Sequence, residues 1–115
     1  MSDERDNDSR LHFNGLTPRE AERLALLAEE CAEVIQVIMK IKRHGFESHN
    51  PFDEDQITNR ELLQKELGHL DVATTFMIRA EDIDPEKIME ATIVKQGSIG
   101  KYLHHQPPWV TTGVK

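Results

Sequence analysis

The chain of 115 residues is short of the features that mark most non-helical folds. Its single cysteine, Cys31, excludes an internal disulfide framework and any cysteine-rich zinc module. One lone thiol is the pattern of a reducing compartment. Aromatic residues make up only 5% of the chain. Leu, Ile and Ala are common instead, a balance that favours helices over a sandwich or barrel. No apolar run approaches membrane-spanning length. The opening Met1-Ser2-Asp3-Glu4-Arg5-Asp6 is polar and acidic, and it does not read as a signal peptide. A cytoplasmic location without a membrane partner is the expectation. Basic charge is also scarce, with 14 Lys and Arg against 21 Asp and Glu and a net charge of −7. A surface of that sign repels phosphate backbones, which argues against a nucleic-acid partner. It suits divalent cations and, through them, small phosphorylated ligands.

What is present is helical punctuation. Residues 1–15 are polar and aperiodic and read as a mobile arm. Thr17-Pro18-Arg19-Glu20 is a capping box with proline at the first helical position. Apolar residues then recur at helical spacing to Ile41, and His44-Gly45 closes the run. A polar loop over 45–57 contains Pro51. Thr58-Asn59-Arg60-Glu61 is a second capping box, opening a helix that runs to about Arg79 or Glu81, and Asp84-Pro85 starts a third. Gly97 and Gly100 leave open whether the third helix bends or ends before Leu103. Pro107-Pro108-Trp109 is expected to begin an extended tail over 107–115. The fold class is therefore all-α: a helical bundle of three main helices over 16–106, with room for a short fourth.

At 100° per residue, the charged residues fall in unexpected places on these helices. In the first helix, Leu24, Leu27, Ala28, Cys31, Ile35 and Ile38 form one stripe, read as the core. A second set, Leu26, Val34, Val37 and Ile41, extends it around the helix, with Glu30 in its middle and Glu33 at its edge. In the second helix, Leu63, Leu67, Leu70, Ala73, Phe76 and Met77 make an arc that contains Glu66, with His69 near its Phe76 side. Burying an unpaired carboxylate costs several kcal/mol, so Glu30 and Glu66 call for a cation or a proton. Carboxylates at i and i+3 lie one turn apart and can hold a cation between them. Two such pairs on facing helices suit one or two hard metal ions. Glu29, further out, reads equally as a solvated helix face, and Lys95 as a snorkelling side chain.

The run Glu29-Glu30-Cys31-Ala32-Glu33-Val34, followed by Lys65-Glu66-Leu67-Gly68, resembles the MazG-like nucleotide pyrophosphohydrolases, whose pattern is EExxE and then ExxD on a second helix. Lys42-Arg43-His44-Gly45, Ser48, Pro51, Asn59-Arg60 and Lys101-Tyr102-Leu103-His104-His105 are similar to the short phage and bacterial members. The resemblance covers residues 17 to about 106. It implies cleavage of a nucleoside triphosphate, often deoxy or non-standard, to the monophosphate and pyrophosphate. It further implies magnesium at Glu29 or Glu30, Glu33 and Glu66, and assembly as a homodimer or homotetramer. One position departs from the pattern. His69 stands where the family has Asp, and an imidazole ligand favours manganese, zinc or iron over magnesium.

The residues expected to act are Glu30, Glu33, Glu66 and His69 as metal ligands, with Glu29 as a ligand or water-orienting base. Lys95 and Lys101 are expected to meet phosphate, and Arg43 and Asn59 to contact the nucleotide. Two other readings fit the same residues. One is a nucleotide-sequestering protein without turnover. The other is a metal-binding bundle with different chemistry, since Glu-x-x-His also occurs in bundles that hold two irons.

Overall fold

A computed structural model describes residues 14–114. It contains α1 (Pro18–His44), α2 (Asn59–Arg79), α3 (Pro85–Ser98), a 3-10 turn (Ile99–Tyr102) and α4 (Pro108–Thr112). The chain is all-α, with three long helices and a short fourth, and no strand among the described residues. Beyond Asn14 and Gly15, the arm expected over 1–15 lies outside the described residues. No helix is long and apolar enough to cross a membrane.

The first helix starts where its capping box predicts. Thr17 Oγ1 accepts from the Glu20 N–H at 3.1 Å, and Glu20 Oε1 accepts from the Thr17 N–H at 2.8 Å. Two of the four unpaired donors of a helix N-terminus are satisfied this way. At the other end Gly45 has φ 90° and ψ 167°, and its N–H donates to the Ile41 carbonyl. That backbone region is open essentially to glycine alone, so Gly45 ends the helix and turns the chain.

The returning loop is fastened to the start of α2. The N–H groups of Asn59 and Arg60 donate to the Ser48 and Phe46 carbonyls at 2.8 and 2.9 Å. Thr58 Oγ1 caps α2 by accepting from the Glu61 N–H, and the Arg60 guanidinium lies 4.3 Å from the centroid of the Phe46 ring. At the far end of the α1–α2 hairpin, Arg23 Nε and Nη2 donate to Asp82 Oδ2 and Oδ1 at 2.6 and 3.0 Å. This fork on a largely buried carboxylate is among the stronger side-chain pairings. The two helices are thus antiparallel and pinned at both ends.

Their core is small. Among the described residues, Val37, Ala73 and Met77 are the buried apolar ones, and Ala73 is 1% exposed, which marks a close approach of the two helices. The arc of α1 that meets α2 is the one made by Leu26, Val34, Val37 and Ile41. Leu26, Val34 and Ile41 are half-buried beside Val37 and Glu30. The stripe expected to be core is outside: Leu24, Ala28, Cys31, Ile35 and Ile38 are exposed, and only Leu27 is half-buried. The physical reason is that α2 brings Glu66 and His69 to the Glu30 side of α1, so the carboxylate-bearing arcs face one another.

The chain divides into two compact units after Asp82, within the segment 16–106. In the second unit, α3 continues through Gly97 to Ser98 and tightens into the 3-10 turn. The tail expected to be extended over 107–115 is instead helical from Pro108 to Thr112. Pro108 holds the first helical position, where its fixed φ and missing N–H cost nothing. Gly113, at φ 77°, supplies the left-handed cap.

Candidate metal centre

Helix α1 carries Glu30 and Glu33 one turn apart, and α2 carries Glu66 and His69 one turn apart. The hairpin register sets the two pairs opposite each other. One ligand atom from each of the four residues lies within 4.8 Å of the ligand atoms of the other three. A cation with bonds of ~2.1 Å spans about 4 Å between opposite ligands, so a small rotamer adjustment closes the set. The donors are three carboxylate oxygens and one imidazole nitrogen.

Burial divides the four into a floor and a rim. The side chains of Glu66 and Glu30 are 10% and 16% exposed, whereas that of His69 is 50% exposed and Glu33 is open to solvent. Glu66 Oε1 has the Lys65 ammonium at 3.7 Å. Glu30 Oε2 and Glu66 Oε2 both face His69 Nδ1, at 3.7 and 3.4 Å. Neither contact is a hydrogen bond, and both oxygens are buried without a donor. Two buried acceptors that lack donors and converge on one point are costly, and a divalent cation would satisfy both. The donor set therefore fits a metal ion.

The crowding shows in protonation. The Glu33 carboxyl is raised above its ordinary value of 4.5. The largest cause is the neighbouring Glu66 carboxylate, followed by the charge of Glu30 and by burial, with His69 opposing.

Comparison with known proteins adds no relative. The chain matches no family model, no curated protein and no solved structure.

The four expected ligands come together, but Glu29 does not join them and is exposed on α1. Lys95, on α3, and Lys101, in the 3-10 turn, are exposed side chains of the second unit, and the centre is built from the first unit alone. Arg43 and Asn59 line a cavity of about 310 Å³ at the loop end of the hairpin, together with Lys40, His44, Ser48, His49, Asn50, Pro51 and Leu62. The helical wheel alone places Lys40 among the outer residues of α1. Lys40 stands seven residues from Glu33, so the two lie close together around the helix, both exposed.

Proposed function

We propose that this chain is a divalent-metal-dependent hydrolase of nucleoside triphosphates, yielding the monophosphate and pyrophosphate. The observation that carries the reading is the pair of buried, donorless oxygens on Glu30 and Glu66, converging with Glu33 and His69. Those four residues would hold the cation, magnesium by the resemblance, with manganese favoured by His69. Bound there, a divalent cation supplies charge neutralisation on a phosphate chain and eases attack by water. Glu30 and Glu66 form a rigid floor, because their side chains are packed between two helices pinned at both ends. Glu33, at the open rim, is the carboxylate on the side from which a substrate would approach. Lys40, on the same face of α1, would be the cation nearest the rim along that helix toward the loop.

The active form in this reading is a homo-oligomer. Leu24, Ile35 and Ile38 expose 40%, 61% and 40% of their surface along one side of α1, and a second copy is the cover that the resemblance suggests.

A panel of nucleoside triphosphates with magnesium or manganese, read by pyrophosphate release, tests the activity. The expected result is metal-dependent turnover that falls at least a hundredfold in Glu66→Gln. Absence of pyrophosphate from every triphosphate with either metal would overturn it. His69 in place of a carboxylate favours one second reading, a sequestering protein, which would show nucleotide affinity without product.

A further inference from the structure

We propose that the loop between α1 and α2 is a self-association surface, in which Phe52 of one copy enters the loop-end cavity of a second copy and receives that copy's Phe52 in its own. Nothing in this depends on the hydrolase reading, so either can fail without the other.

The first observation is an aromatic side chain without cover. Phe52 is 92% exposed, more than any other large apolar residue among those described. A ring left in water forgoes the burial of about 150–250 Å² that makes aromatic side chains dominate interfaces. The ring is also held in place. The Phe52 N–H donates to Asn50 Oδ1 at 2.9 Å, and the Asp53 N–H to the Asn50 carbonyl at 3.0 Å. Asp53 Oδ1 and Oδ2 accept from the N–H groups of Asp55 and Ile57 at 3.0 and 3.1 Å. A turn bonded at each step has little freedom left to lose on association.

The second observation is a hollow beside the tip. Asn50 and Pro51 line the cavity, so Phe52 stands one residue from its rim. A volume of about 310 Å³ is at the lower end for small-molecule sites and is ample for one phenyl ring, with Leu62 and Pro51 as apolar wall. The metal centre lies elsewhere. Lys40 and Asn59, also in the lining, stand seven residues from Glu33 and Glu66, about 10 Å along each helix axis.

The third observation is charge. Glu54 and Asp55, just after the ring, are exposed and have no cation paired with them among the described residues. Lys40 and Arg43, in the cavity, are exposed and equally without an ion pair among the described residues. Two tips meeting head to head would bring carboxylates against carboxylates. A tip entering a cavity brings them to cations instead, and that complementarity chooses the occupant. Tip and hollow adjoin on one molecule, so a two-fold axis between them satisfies both contacts at once. Two rings and their flanks bury less than the ~1,600 Å² of a standard interface, so the contact is transient and grows with concentration. It also shuts small molecules out of the cavity while it lasts.

The test is sedimentation of the full chain from micromolar to millimolar concentration. The wild type is expected to gain mass with concentration above whatever mass it holds at the dilute end. Phe52→Ser should weaken that step at least about tenfold, since each contact loses two buried rings. Two charge-reversed variants, Glu54→Lys with Asp55→Lys and Lys40→Glu with Arg43→Glu, each set like charges against one another in both halves of the contact. Each should stay at the dilute mass when alone. An equal mixture should recover the step, because contacts between unlike copies then join opposite charges. All five substituted side chains are exposed, so the fold does not depend on them. Three results overturn the assignment: no concentration-dependent step in the wild type, a step that Phe52→Ser retains, or no recovery in the mixture. The second would move the contact to another face, the α1 stripe first of all. Pyrophosphate release is scored separately and bears on the hydrolase alone.

Discussion

Replacing Glu66 by Gln should make the metal-free protein more stable and the metal-loaded protein no more stable than the metal-free one. The side chain is 10% exposed, with Glu30 facing it at 16%. Their ligand oxygens are within 4.8 Å of one another. Two like charges at that distance repel by about 3 kcal/mol at an effective dielectric constant of ~20. Attraction to Lys65 and His69 offsets part of this, which leaves a net gain of about 1–3 kcal/mol for the neutral amide. In a domain of this length that is a rise of about 4–12 °C in Tm. The wild type should recover the difference from its ligand. A cation at a hundred times its Kd stabilises the native state by about 2.7 kcal/mol. Thermal scans in chelator and in saturating manganese therefore give a crossed pattern. In chelator the variant melts above wild type; in manganese the wild type rises to meet it and the variant does not move. A variant that melts below wild type in chelator would show that the Glu66 charge is already compensated by the protein. A variant that keeps the manganese shift would remove Glu66 from the ligands.

Glu33, whose carboxyl is raised, binds its proton more tightly in the native state than in the unfolded chain. Its contribution to metal-free stability is therefore greatest below about pH 4.5 and is lost as pH rises through the raised value. The urea midpoint of Glu33→Gln should accordingly gain on wild type between pH 4.5 and 7; a constant difference refutes the shift. His69→Asp should move metal preference toward magnesium, because an oxygen donor and a full charge replace an imidazole. Identical metal dependence in variant and wild type would make His69 a bystander. Light scattering should give a mass at least twice the 13.2 kDa of one chain, and a clean monomer would mean that the exposed α1 stripe needs no cover.

Much of the fold is legible in the sequence because it is local chemistry. The capping box at Thr17, the stop at Gly45 and the proline starts at Pro18 and Pro85 each depend on a few neighbouring residues. The four clustered side chains are legible too, since charged positions inside an apolar arc stand out on any helical wheel. The wheel does not say which of two adjoining apolar arcs on α1 meets α2. That choice is made by the partner helix, whose own carboxylate and imidazole lie on the Glu30 side. The C-terminal segment misleads for a related reason. Two successive prolines read as extended chain, yet only Pro107 stays outside the helix, while Pro108 is its first residue. The cavity is hardest to foresee, because it joins α1 and α2 through a loop whose course is set by bonds between residues up to 14 apart in sequence.

The equal spacing of seven on both helices makes the hairpin a ruler whose graduations are angular. Inserting one alanine between Glu33 and Lys40 moves the cavity only ~1.5 Å along α1 but swings it about 100° off the line of the carboxylates. Inserting a full seven on each helix keeps the line and lengthens the gap by about 10 Å. The spacing between the carboxylates and the cavity therefore changes without loss of line only near whole helical repeats. A single-residue insertion in this stretch of α1 also turns part of the Val34, Val37 and Ile41 arc away from α2, so it should cost the fold as well as the alignment.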